Sequence, residues 1–214
     1  PAVSAANLTN IPAANLTGTL PAISGANLTG ISSGDFVKLQ VASAAGGTGD
    51  LIFDNLDVST YKHFDLHLSF IPSTDNVSPR MQFRQGGASG SNISSGHHQI
   101  GYQFVYPTNT QNEISSQGNN DIYLAPAMGN ASDEGITMQA RISFADSSDN
   151  GGTKNIMNSI FYSFIMRTNS KDHRHGIGQA YLTHDSDAFP TGFKFDTTSG
   201  NIGNYSYALY GLKR

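Results

Sequence analysis

The sequence predicts an all-β fold: an antiparallel, jelly-roll-like sandwich head over residues 36–214, behind a short extended repeat stalk over residues 1–35. Three observations predict it. From Asp50 onward, apolar and polar residues alternate in short segments, the period-two pattern of strands with one wet face. Turn formers punctuate those segments, as in Gly86-Gly87, Asp149-Asn150-Gly151-Gly152 and Ser199-Gly200-Asn201. The opening segment repeats a small unit that proline and glycine keep from becoming a helix.

The repeat comes first in the chain. Ala6-Asn7-Leu8-Thr9-Asn10-Ile11 returns as Ala14-Asn15-Leu16-Thr17-Gly18 and again as Ala26-Asn27-Leu28-Thr29-Gly30-Ile31. Each unit offers one or two small apolar side chains, too few to close a core alone. Such residues are buried only against neighbouring units or other copies of the chain. Leu8, Leu16 and Leu28 are therefore the expected packing positions of a stalk shared between subunits. Pro12, Pro21, Gly18, Gly25 and Gly30 favour an extended path, which reaches on the order of 100 Å if fully drawn out.

The strands follow. Phe64, Leu66, Leu68 and Phe70 point one way, with Asp65, His67 and Ser69 the other. Met81 and Phe83 alternate with Arg80, Gln82 and Arg84. Ile100, Tyr102, Phe104 and Tyr106 alternate with Gly101, Gln103 and Val105; here the pattern leaves open which set is buried. Ile136, Met138, Ala140, Ile142 and Phe144 form one face of the next strand. Residues 160–166 are apolar except Ser163, which predicts a strand covered on both faces. Phe193 and Phe195 begin another strand, and residues 205–212 close the chain.

Composition narrows the function classes. Only 13% of the 214 residues are charged, yet 12 Phe and 9 Tyr supply enough aromatic surface for a packed domain. A net charge of -4 without a Lys/Arg cluster argues against a nucleic-acid partner. Lack of cysteine excludes disulfides and thiolate zinc sites. No apolar run is long enough for a membrane-spanning helix, so no membrane insertion is expected. The start at Pro1 lacks the pattern of a signal peptide and reads as a fragment of a longer protein.

Catalytic motifs are missing. There is no Gly-x-Ser-x-Gly elbow and no phosphate-cradling glycine loop in strand-turn-helix context. Asp54, Asp57, Asp146, Asp149, Asp185, Asp187 and Asp196 read as turn-capping aspartates, although spacing alone does not exclude a glycosidase pair. His173 and His175 flank Arg174, so both face one side of a strand; three such pairs around a trimer axis supply six nitrogen donors for a metal ion. His97-His98 reads as a surface pair, and His184 to Asp187 and Asp146 to Gly151 as capped turns rather than calcium loops. Tyr102, Gln103, Tyr106, Asn109, Asn119 and Asn120 are the expected ligand-facing residues, because rings flanked by amides suit carbohydrate.

Three stretches carry a resemblance: the lead-in at residues 6–31, the opening of the head at 50–87, and the close at 191–214 with its Leu209-Tyr210-Gly211-Leu212 end. In these the chain resembles tail-fibre-like virion proteins of marine and cyanobacterial phages. The resemblance implies a homotrimeric appendage with a β-sandwich head, located on the virion tail or capsid beside other virion proteins. It further implies a receptor-binding role, attaching the virion to a host-surface glycan without catalysis and with no cofactor beyond the axial metal just described. Two alternatives go with it: a capsid-decorating fibre or knob, and a polysaccharide depolymerase. Residues 89–135 lie outside the resemblance.

Overall fold

A computed structural model describes residues 35–47, 49–145, 158–183 and 189–213. The chain divides into Pro1–Ser33 and Gly34–Arg214, and every described residue belongs to the second unit. Leu8, Leu16 and Leu28 of the expected stalk lie outside the described residues, as do Asp146, Asp149, His184, Asp185 and Asp187.

The head is the expected all-β antiparallel sandwich. Its strands are β1 (Phe36–Ala44), β2 (Leu51–Phe53), β3 (Tyr61–Pro72), β4 (Pro79–Gln85), β5 (Ser91–Asn92), β6 (His97–Tyr106) and β7 (Thr110–Asn119). There follow β8 (Ile122–Tyr123), β9 (Gly135–Ser143), β10 (Asn158–Arg167), β11 (His173–Leu182), β12 (Gly192–Thr197) and β13 (Ile202–Lys213). An eight-stranded sheet has the order β1-β13-β3-β9-β10-β11-β6-β7. The smaller sheet runs β2-β12-β4-β5, with β8 also on β4. The chain passes back and forth between the sheets, so each layer is built from distant segments. Among the described residues no helix is long and apolar enough to cross a membrane.

Alternation explains the core. Phe64, Leu66, Leu68 and Phe70 of β3 are all buried, as are Ile136, Met138, Ala140 and Ile142 of β9. Facing them from the small sheet are Met81, Phe83, Phe193 and Phe195. Ring pairs tie the layers: Phe53 of the small sheet meets Tyr207 of β13 edge-on at 4.9 Å, and Phe83 meets Phe144 edge-on at 6.0 Å. On β11, Gly176 and Gly178 make room for the rings of β10. A Cβ at Gly176 would lie 2.2 Å from Phe164 Cζ, and one at Gly178 would lie 2.4 Å from Tyr162 Oη.

The second face of the small sheet is polar but not wet. Arg80 donates to Asp196 through Nε at 2.9 Å and Nη2 at 3.0 Å, and to Asp121 through Nη1 at 2.8 Å. Lys194 lies between Asp196 at 2.8 Å and Asp50 at 3.0 Å. Arg84 grips Asp54 with two hydrogen bonds of 2.8 and 2.9 Å. Asp196 and Asp54 are thus ion-pair partners rather than turn caps. Asp57 keeps the expected role: it accepts from Ser59 Oγ and Thr60 N, which lowers its pKa to about 2.

One strand reading is corrected, and one left open by the pattern is decided. Residues 160–166 were expected to be covered on both faces, but Ile160, Tyr162, Phe164 and Met166 are buried while Phe161 and Ile165 are exposed. The reason is layering: β10 lies inside the large sheet, and only one of that sheet's faces packs on the small sheet. On β6 the apolar set is the outward one. Gln99, Gly101, Gln103 and Val105 face inward, and Ile100, Tyr102, Phe104 and Tyr106 face out. The inward amides are satisfied by hydrogen bonds. Gln99 pairs reciprocally with the backbone of Tyr123, donating from Nε2 and accepting at Oε1, both at 2.6 Å.

Candidate functional site

The outer face of the large sheet falls into an apolar and a polar strip. Successive strands place their outward residues in register rows. One row runs Ile100, Gln179, Phe161, Arg141, Asp65, Tyr210 across β6, β11, β10, β9, β3 and β13. The next runs Tyr102, Ile177, Ser163, Gln139, His67, Ala208, and a third Phe104, His175, Ile165, Thr137, Ser69, Ser206. Neighbours within a row are about 4.8 Å apart. The β6–β11–β10 side is therefore dominated by Ile, Phe and Tyr, and the β9–β3–β13 side by polar groups.

Where the strips meet, small Ser163 stands between large Phe161 and Ile165 on the same strand, so the surface dips. A depression of about 780 Å³ lies there, with Phe161, Tyr102, Gln179, Gln139, Arg141 and Asp65 in its lining. A second, of about 480 Å³, continues from Ser163 and Gln139 over Ser69, Thr137 and His67. A third, of about 320 Å³, shares Ile165 and His175 and is lined by Tyr106, Asn109 and His173. Shared residues make the three one trough across the sheet.

The polar strip is held in place by its own hydrogen bonds. Arg141 donates to Asp65 through Nε at 2.7 Å and Nη2 at 2.8 Å, a bidentate pair that leaves Nη1 clear of that carboxylate. The hydrogen bond from Arg141 holds the Asp65 pKa below the ordinary carboxylate value and raises that of the guanidinium. Gln139 Nε2 lies 3.4 Å from His67 Nε2, and Ser69 Oγ lies 3.0 Å from Thr137 Oγ1.

The expected ligand-facing residues divide. Tyr102, Tyr106 and Asn109 all line the trough. Asn109 takes φ 54 in the β6–β7 turn, a conformation asparagine tolerates. Gln103 is a correction: it is 4% exposed, faces inward, and accepts from Arg174 Nη1 at 3.4 Å. The strand pleat puts it on the opposite face from Tyr102. Asn119 and Asn120 sit at the far end of β6, since Asn119 pairs with His97, about 30 Å along the strand from Tyr106. The structure does not bring them to Tyr106.

His173 and His175 share the outward face of β11, as the i, i+2 spacing requires. Among the described residues no group of three or more His, Asp or Glu gathers to hold a metal ion. Two imidazoles of one chain do not complete a ligand set by themselves.

His97 also needs correction: it is fully buried, not a surface residue. Its Nδ1 lies 3.1 Å from Asn119 O and Nε2 accepts from Phe83 N at 3.4 Å, so both ring nitrogens are used by backbone. Burial lowers its pKa below the usual 6.5; nearby Asp121 opposes this and His98 adds to it. The unfolded chain then takes up this proton first. Stability from His97 is complete above pH 6.5 and is lost as pH falls from there toward the lower folded value. Urea midpoints measured at pH 7.5 and 5.5 are expected to show the lower one at pH 5.5, and His97→Gln is expected to shrink the difference.

Sequence reasoning missed Phe161, Ile165, Ile177 and the Arg141–Asp65 pair as surface features. A signal existed: β3 and β9 carry opposite charges in their wet phase, and β10 keeps apolar residues in both phases. Comparison of the chain with protein-family models, with curated proteins and with solved structures finds no match.

Proposed function

We propose that this chain is the non-catalytic, homotrimeric head of a virion appendage, a tail fibre, that attaches the particle to a host-surface glycan. The observation that carries the reading is the trough itself. It sets aromatic surface, Phe161 and Tyr102, beside planar hydrogen-bonding groups, Arg141, Asp65, Gln139 and Gln179. Sugars present C–H faces that pack on rings and hydroxyl pairs that planar amides, guanidiniums and carboxylates read. Because Asp65 is already paired with Arg141, the polar wall offers donors and acceptors together with little net charge. That balance suits neutral sugar hydroxyls better than phosphate or sulfate.

The non-catalytic part of the proposal is supported by the carboxylates. Hydrolysis of a glycoside uses two of them flanking one bond. Among the described residues the large depression has Asp65 as its one acidic lining residue, and Asp121 and Asp196 are both engaged by Arg80. Multivalency supplies the mechanism: weak sites on joined copies act together, raising avidity well above that of one site.

A glycan array probed with the full-length chain separates the readings. Binding to a defined class of host glycan supports attachment. A blank array favours the capsid-decorating fibre or knob, and release of reducing sugar from host polysaccharide would support the depolymerase instead.

A further inference from the structure

The apolar strip of the outer face is not explained by glycan binding. Phe104, Tyr106, Ile165 and Ile177 are 51, 64, 62 and 59% exposed and lie on three adjacent strands. Isoleucine offers a sugar neither a ring face nor a hydrogen bond. Single exposed apolar side chains are ordinary on soluble proteins, whereas a contiguous set marks a contact surface.

We infer that a second copy of this chain covers the strip, with Ile165 and Ile177 at the centre of the contact. The glycan trough is then a cleft between copies, and its Phe104–Tyr106 end is completed only on assembly. The inference rests on the oligomeric attachment head proposed above and names the surface that joins it.

Three features point to a like copy as the occupant. The first is size. The four side chains expose on the order of 100 Å² each, the apolar centre of an interface whose polar rim brings each partner to about 800 Å². Residues suited to such a rim adjoin them: Gln111 and Glu113 on β7, and His173 and His175 on β11. The second is charge. Outward residues of β6, β11 and β10 include no Lys, Asp or Glu, and Arg167 at the strip's end is paired with Asp133. Such a strip meets its own copy without repulsion, while it offers a charged partner nothing to pair with. The third is the repeat at residues 1–35, whose leucines call for other copies. Joined copies have an effective concentration of about the millimolar range, where a modest apolar patch is enough.

Cysteine labelling tests this, because the chain contains no cysteine. Ile165→Cys is made in the full-length chain, with Ile52→Cys as reference, a residue 50% exposed on β2 of the small sheet and away from the trough. Maleimide is expected to modify Cys at 165 at least about tenfold more slowly than Cys at 52. Adding Phe104→Glu is expected to bring the two rates together, with the near-UV circular dichroism unchanged. Ile177→Cys gives the same reading if Ile165→Cys does not yield soluble protein. Equal rates in the full-length protein, or sedimentation as a monomer at high concentration, would overturn the inference. Glycan binding is read separately on the array. Protection at 165 without glycan binding sinks only the attachment reading, and binding without protection sinks only this one.

Discussion

Phe193→Ala is expected to lower the stability of the head by about 4 kcal/mol, which moves the melting temperature down on the order of 10 °C. Phe193 is fully buried on β12, stacked on Phe53 and on Phe144 and edge-on to Phe195. It stands where rings from both sheets meet, so its removal opens a void between layers that backbone hydrogen bonds keep from closing. Interiors are packed as densely as organic crystals, and a void of ring size costs both transfer free energy and lost contacts. Phe161→Ala supplies the contrast. Phe161 has the same side chain but is 55% exposed, and its loss is expected to cost less than about 1 kcal/mol. Urea denaturation of the two variants checks both; similar losses would mean that the outer face is covered within one chain.

Arg80→Met is expected to cost about 3 kcal/mol or more, through charge rather than volume. Arg80 bridges Asp196 and Asp121 and also donates to Thr197 O at 3.0 Å. Both carboxylates belong to residues that are buried. Methionine fills similar space but leaves Asp121 without its cation and Asp196 with Lys194 alone. Removing one member of a buried ion pair leaves the other desolvated and uncompensated, which costs more than the pair itself contributes. Arg80→Lys is expected to rescue only part of the loss, because one ammonium cannot span two carboxylates as a planar guanidinium does. Adding Asp196→Asn and Asp121→Asn to Arg80→Met is expected to recover much of the remainder. Full stability in Arg80→Met alone would show the network to be solvated.

Much of the fold was legible because strand alternation follows directly from which side faces the core. β3 and β9 have clean apolar phases, and each lies mid-sheet with one face against the small sheet. β6 left its buried phase undecided for a physical reason. Its inward phase holds His97, Gln99 and Gln103, polar groups whose hydrogen bonds come from residues distant in sequence, Tyr123 and Arg174 among them. No local pattern encodes those partners. The run at β10 misled, since an apolar outer phase in one chain looks the same as burial within it. The Arg141–Asp65 pair joins positions 76 apart, visible only once β3 and β9 are placed side by side. Tyr102, Tyr106 and Asn109 line the trough, and rings near amides are a signal that can be read locally. Gln103 was misassigned because the pleat separates adjacent residues to opposite faces.

The central claim is that the outer face of the large sheet is where this protein meets its ligand. Its most direct test is the affinity, by calorimetry, of the full-length chain for a glycan that it captures on the array. Arg141→Ala and Phe161→Ala are each expected to weaken binding by about tenfold or more, with little change in melting temperature. A double replacement of Asn119 and Asn120 by Ala, at the far end of β6, is expected to leave the affinity within about twofold of the parent. Unchanged affinity in the first two variants, with loss in the third, would contradict the account and move the site to the end of the sandwich.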